Sequence, residues 1–257
     1  MARKESPSTG PLPGGAHLGL PTWAVEPVAR VAEVFAGLAA PAEEQGCLYC
    51  YTEDEIALLR RPDVPLPDDL VGSVMREVPD HWLDQTAVLR RALPQFLALL
   101  ARGEFGGFEM EGNKLIQAGF WDWPREQTEA VMGFFDVLWR AASRETPPPM
   151  DAWELLASCA VVSGSFTPWL RRWAAELGSP VADQRLCEVL ERHQDRLLRD
   201  EEVCGWWATE RYGPEPTAEV RDWFAVHGAT VLDARGYDAW ADRIRALDLP
   251  LWARPEL

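Results

Sequence analysis

Cys47-Leu48-Tyr49-Cys50 is the short segment of this 257-residue chain whose residue types and spacing most directly suggest chemistry. A CxxC turn presents two thiolates about as far apart as a tetrahedral zinc ion requires, and in a thioredoxin-like βαβ setting it makes a redox dithiol. Zinc needs two further ligands. The chain has no second CxxC and no paired histidine motif; His81, His193 and His227 fall on different expected helices, and Cys159, Cys187 and Cys204 lie 28 and 17 residues apart. No βαβ pattern surrounds the motif. The expectation is therefore no bound metal, no cofactor, and partly buried thiols packed beside Tyr49 and Tyr51.

Adjacent carboxylates occur at Glu43-Glu44, Asp68-Asp69 and Glu201-Glu202. Metal-dependent isoprenoid-type chemistry in an all-α fold needs aspartates one helical turn apart facing a cavity, with a second metal motif on another helix. Asp68-Asp69 has no such distal partner, and its place after Pro65-Leu66-Pro67 suits a helix start, where the dipole favours negative charge. The GxSxG, HExxH, GxxxxGK[ST] and GxGxxG signatures are absent. No catalytic residue is assigned, and the sequence leans away from an enzyme. The contrasting readings are an enzyme with an unrecognised carboxylate or thiol site in a helical cavity, or a structural subunit of a larger assembly. A deep polar pocket containing Cys47, Cys50 or His81 would favour the enzyme.

Charge and tryptophan are more informative. The 41 acidic and 25 basic side chains leave a net charge of −16, which repels phosphate backbones and anionic lipid, so neither nucleic acid nor membrane is an expected partner. Residues 41–80 carry ten acids against three arginines, and 200–222 carry seven against two. Trp206-Trp207 sit inside the second run, adjacent and about 100° apart on a helix, so both cannot share one buried face. Acids that steer and an aromatic that anchors are what captures a basic partner. The candidate partner-binding residues are Asp200, Glu201, Glu202, Trp206 and Trp207. The expected function is an acidic interaction module that binds and neutralises or recruits a basic protein, such as a toxin immunity protein. With an odd number of cysteines and neither a signal-peptide pattern nor a long apolar run, a cytoplasmic location is expected.

The elements that must position these residues read as all-α. Expected helices span 23–39, 53–61, 67–78, 81–102, 124–144, 152–163, 168–177, 180–200, 217–227 and 238–247. They form an irregular bundle or helical-hairpin array of about ten helices, and strand-like alternation is nearly absent. Thr52 with Glu55 fits a capping box, and Asp151 with Glu154 has the same spacing. Thr167-Pro168 and Ser179-Pro180 each place a capping oxygen before a first-turn proline. Gly178 suits a left-handed C-cap, and Gly228 a stop. Pro94 is expected to kink 81–102. The apolar stripes are Trp82, Leu89, Leu93, Phe96 and Leu100 on that helix, and Val131, Phe134, Phe135, Leu138 and Ala142 on 124–144, widened by Met132 and Trp139. Trp153, Trp173, Trp223 and Trp240 also fall on apolar stripes, whereas Trp121 and Trp123 straddle a helix start and point in opposite directions.

The Gly-rich 103–120 segment is expected as an ordered loop or small hairpin. Residues 1–21 are expected to form a disordered lead, and 22–257 a single unit with two lobes, 22–146 and 150–257, divided at Pro147-Pro148-Pro149.

Three segments in order, GCLYCYTEDEIALL, HWLDQTAVLRRALPQFLALLARGEF and LIQAGFWDWPREQTEAVMGFFDVLWRAA, resemble an uncharacterised bacterial all-α family over about residues 45–145. That family has a cysteine-containing segment, an "fRHfLPRlLEL"-like helix and an "A.W..WP..E" helix. This chain departs from it at Arg91-Ala92-Leu93-Pro94-Gln95, which lacks the histidine and the second arginine. The resemblance implies a helical fold and no catalytic residue.

Overall fold

A computed structural model describes residues 19–76, 81–104, 114–144, 150–201 and 216–254. Among them the fold is all-helical, without a strand. The α-helices are α1 (Val25–Val34), α2 (Glu53–Leu59), α3 (Asp68–Arg76), α4 (Gln85–Ala101), α5 (Arg125–Ala142), α6 (Ala152–Ser163), α7 (Thr167–Glu176), α8 (Pro180–Leu198), α9 (Pro216–Ala234) and α10 (Asp238–Arg245), with 3₁₀ turns at Thr22–Ala24, Phe120–Asp122, Ala246–Asp248 and Leu251–Ala253. The chain divides into two compact units. The first holds the described residues up to 104 together with Lys114–Val137, and the second those from Leu138 onward. Residues 1–18 of the expected lead, 105–113 of the Gly-rich segment and 147–149 lie outside the described residues. What is described of 103–120 ends in a helical turn at 114–117 and a left-handed Gly119.

In the first unit α4 is the central element, with α1, α2 and α3 packed against it. Its expected stripe is buried, and from Phe96 to Ala101 every residue is buried, so this half of the helix is enclosed on all sides. The helix continues as one element through Pro94. Two polar side chains of α4 hold the connection between α2 and α3. Buried Arg91 donates from Nε to the carbonyl of Arg61 (3.1 Å) and from Nη2 to that of Val64. Gln95 makes a matched pair with Leu66, accepting its N–H at 2.8 Å and donating to its carbonyl at 3.0 Å. Burial lowers the pKa of Arg91, against the raising influence of Asp63. Thus Arg91 and Gln95, within the stretch that departs from the resembled family, close a loop whose backbone would otherwise lose partners.

The capping box at the start of α2 is present: the Thr52 hydroxyl accepts the Glu55 N–H while the Glu55 carboxylate accepts the Thr52 N–H at 2.7 Å. Asp151 and Ser179 cap α6 and α8 as expected, and Gly178 is left-handed at φ 94°. Three expectations need correction. The helix expected from 81 starts at Gln85, because the Asp84 side chain accepts the Ala87 N–H at 2.9 Å and so fixes the cap there. Thr167 is not the cap of α7; its hydroxyl donates to Glu219, a carboxylate from α9 that also accepts the Ser165 hydroxyl and the Phe166 N–H. Gly228 does not stop α9, which runs on to Ala234. A Cβ there would lie 3.0 Å from Ile244 Cγ2 and 3.1 Å from Leu190 Cδ1, so this glycine serves close helix approach.

The second unit packs α8, α9 and α10 together, with α6 and α7 against α8 and α9. Its core is aromatic: Trp139 meets Trp169 and Trp173, and Trp173 meets Trp223 and Phe224. Trp139, Trp153, Trp169 and Trp173 are buried, whereas Trp223 and Trp240 are half-buried. His193 of α8 lies against Trp153 with ring centroids 4.4 Å apart, and neither ring nitrogen has a hydrogen-bond partner. Burial, reinforced by Arg192 and Arg196, lowers its pKa to about 4. Because the folded value lies below the unfolded one, the unfolded chain takes up the proton first as pH falls. Stability is therefore lost from about pH 6.5 downward toward 4. Chemical denaturation of wild type and His193→Phe at pH 7 and 5 should show the variant losing about 1.5 kcal/mol less over that interval. Equal losses would show that His193 does not titrate as its burial requires.

Candidate metal centre

The two cysteines of the CxxC lie in the loop entering α2, and His81 in the loop entering α4, both within the first unit. The Cys47 carbonyl accepts the N–H groups of Cys50 and Tyr51, each at 2.9 Å, which folds the motif into a tight turn directly before the Thr52 cap. Because α4 begins only after Asp84, His81 is not on that helix. It stands in the loop beside the turn, where the Cys47 and Cys50 sulfurs and a His81 ring nitrogen all lie within 4.8 Å of one another. The expectation that the histidines are scattered away from the thiols is thereby corrected for His81. Cys47 and His81 are half-buried and Cys50 is exposed, so the cluster sits at the surface rather than in a deep cavity.

Two features hold these loops together. The first is Glu44, whose side chain is fully buried. Its Oε1 accepts the N–H of Gly46 at 2.9 Å and that of Leu83 at 3.0 Å, and its Oε2 accepts the N–H of Asp84 at 2.9 Å. One carboxylate thus fastens the residue before Cys47 to the residues just after His81. Its own carbonyl accepts the Arg60 guanidinium, from Nε at 2.9 Å and from Nη2. An ionised carboxylate can be buried when its lone pairs are filled by such donors, and charge-assisted bonds of this kind are roughly twice as strong as neutral ones.

The second feature is the Trp82 indole, which is buried and packs on the Tyr51 ring at 4.4 Å between centroids. It also approaches Gly46 so closely that a Cβ there would lie 2.8 Å from Trp82 Cζ3. Gly46 also has φ 59°, a region side-chain-bearing residues rarely adopt. The 46–51 loop therefore bends around Trp82, and Trp82 carries the adjacent His81 to the thiols.

Sequence reasoning counted Glu44 among the surface acids of 41–80. Nothing local marks it: Glu43 beside it is exposed, and its three N–H partners lie 2, 39 and 40 residues away.

The residues expected to bind a partner are placed differently. Glu202, Trp206 and Trp207 lie outside the described residues, as does Cys204. Asp200 is left-handed at φ 54° just past α8, and its carboxylate accepts Arg221 at 2.9 Å and Arg254 at 2.8 Å. Partial burial opposes ionisation of Asp200, but these two arginines outweigh it and lower the pKa. Glu201 is exposed, 3.5 Å from Arg199. Cys159 and Cys187 are buried in the second unit, and burial pushes the Cys187 thiol upward.

Replacing Glu44 by Gln turns one acceptor into a donor facing a backbone N–H. Leaving a buried polar group unsatisfied costs about 1–3 kcal/mol, more when charge-assisted bonds are lost. Glu44→Gln should therefore lower the unfolding free energy by about 3 kcal/mol, measured by denaturant titration, with Glu43→Gln as the near-neutral control. Equal effects of the two changes would contradict the clamp.

Comparison of the chain with known protein families, with curated proteins and with solved structures finds no match.

Proposed function

We propose that the protein is an acidic interaction module for a basic protein partner, and that it docks through the surface displayed by the Cys47–Cys50 turn. The observation that carries this reading is the exposure of three large apolar side chains at one place. Leu48 is 66%, Tyr49 97% and Leu83 68% exposed. The backbones of Gly46 and Leu83 hang on the same Glu44 oxygen, so these side chains project from adjoining loops. Exposed Glu43, Glu53, Asp54 and Asp84 flank them. An aromatic left almost wholly in water, with apolar neighbours and a rim of one charge sign, is the composition of a binding surface with a desolvated anchor and a charged border.

Charge complementarity sets the partner's class. A surface rimmed by carboxylates within a chain of net charge −16 attracts a lysine- and arginine-rich face and repels an acidic one. Neutralising a basic toxin is one role of this kind. The 200–222 segment is a weaker support for the same reading, since the Asp200 charge is matched by two arginines. No described helix is long and apolar enough to cross a membrane.

A photo-crosslinking residue in place of Tyr49 should trap a basic protein in cells of the native host. Against that partner, Leu48→Ala with Tyr49→Ala should mainly speed dissociation, weakening binding by about 30-fold, a 2 kcal/mol hot-spot loss. Glu53→Lys with Asp54→Lys should mainly slow association, and the deficit should shrink as salt rises. Thermal melting should be unaffected by the Leu48 and Tyr49 changes, whose side chains are exposed, and lowered only modestly by Glu53→Lys with Asp54→Lys, which places positive charge in the first turn of α2. An acidic partner, or affinity untouched by both pairs, would overturn the reading.

A further inference from the structure

We propose that Cys47, Cys50 and His81 form a zinc site, with two thiolates and one imidazole nitrogen as protein ligands and a solvent-derived ligand in the fourth tetrahedral position. The site is independent of whether the surrounding surface docks a partner. Three ligand atoms of the right chemistry lie within 4.8 Å of one another. Tetrahedral zinc, with bonds of about 2.3 Å to sulfur and 2.0–2.1 Å to nitrogen, sets its ligand atoms about 3.5–3.8 Å apart. The present separations exceed that spacing by no more than about 1 Å.

The donor set selects the metal. Sulfur and imidazole ligands suit a borderline-soft divalent ion and are poor for magnesium or calcium, which require oxygen. A sulfur-bridged iron cluster would call for four cysteines, and this group of described residues holds two. Among the described residues no fourth donor joins the group, and Cys50 is exposed, so the fourth position falls to solvent. On binding, both thiol protons pass to bulk solvent, and the charge of two thiolates cancels that of the ion.

A redox dithiol would use the same two cysteines, and His81 is what separates the readings. Disulfide chemistry between Cys47 and Cys50 needs no third donor. Here, however, the Glu44 clamp and the Trp82 packing bring a histidine 31 residues onward to both sulfurs. The Glu44 hydrogen bonds fix the two ligand-bearing loops relative to each other, so the three donors are brought together before any ion binds.

The test uses the full chain, reduced, stripped with a strong chelator and titrated with cobalt(II) as the spectroscopic probe. The expected result is one cobalt per chain. It should show tetrahedral visible bands and a sulfur-to-metal charge-transfer band of two-thiolate intensity, both erased by one equivalent of zinc. Cys50→Ser, an exposed position that leaves packing intact, should halve the charge-transfer intensity and weaken binding at least 100-fold. His81→Asn should keep the two-thiolate band but alter the visible bands and weaken binding at least tenfold. Cys187→Ser in the second unit should change nothing, and zinc should raise the melting temperature of wild type but not of Cys50→Ser. Absence of stoichiometric binding, or binding that survives Cys50→Ser or leaves the His81→Asn spectrum unaltered, would overturn the proposal. So would a chain that forms a Cys47–Cys50 disulfide yet binds no metal when reduced.

Discussion

The arrangement of the first unit around its candidate site depends on one buried carboxylate. Glu44 accepts three backbone N–H groups that no helix or turn ladder satisfies, and they belong to two loops far apart in sequence. Short-range forces would not bring those loops together, since each is committed by its own cap to the helix that follows, Thr52 for α2 and Asp84 for α4. Hydrophobic packing supplies cohesion without direction. The carboxylate supplies direction, because three donors converging on two oxygens define a narrow relative placement of the chains.

The second unit uses the same device at a different place. Glu219 of α9 collects the Ser165 and Thr167 hydroxyls and the Phe166 N–H at the entrance of α7, doing the work that a capping side chain of that helix would otherwise do. Arg91 and Gln95 are the complementary case, side chains of a core helix that reach the backbone of the loop between α2 and α3, Arg91 as donor and Gln95 as both donor and acceptor. In a fold built of short helices, many backbone groups at helix ends lack ladder partners. Side chains sent from distant helices to satisfy them therefore carry much of the specificity of the fold.

This explains what was legible in the sequence. The helices, the Thr52, Asp151 and Ser179 caps, the left-handed Gly178 and the buried stripes of α4 and α5 are local signals, written within a few residues of where they act. The Trp121 and Trp123 pair also divides as helical spacing, about 200° for two residues, requires, the first exposed and the second buried. What failed was non-local. Gly228 has the look of a terminator, and only its neighbours Leu190 and Ile244 show it to be a spacer. His81 was assigned to a helix because the true cap, Asp84, competes with several equally plausible starts. With α4 beginning at Gln85, four residues after the expected start, the histidine stands in the preceding loop beside the cysteines. The pairing of CxxC with a lone histidine has no sequence signature, since the distance between them is set by the length of an intervening helical excursion.

The tight approach of Trp82 to Gly46 has a bearing on how such chains can be recognised. With no room for a Cβ and a left-handed backbone, position 46 is closed to other residues. The indole that closes it stands next to His81. A chain sharing this architecture can replace most of its surface and much of its core, yet the clamp and the packing call for a carboxylate and a glycine in the order Glu-x-Gly and a tryptophan farther on, to which the proposed metal site would add Cys-x-x-Cys after the glycine and a histidine before the tryptophan. The interval between them, 31 residues from Cys50 to His81 here, is free to vary with the helices it contains. That sparse pattern, six positions tied together by one packing contact and one hydrogen-bonded carboxylate, can be sought directly in translated genomes.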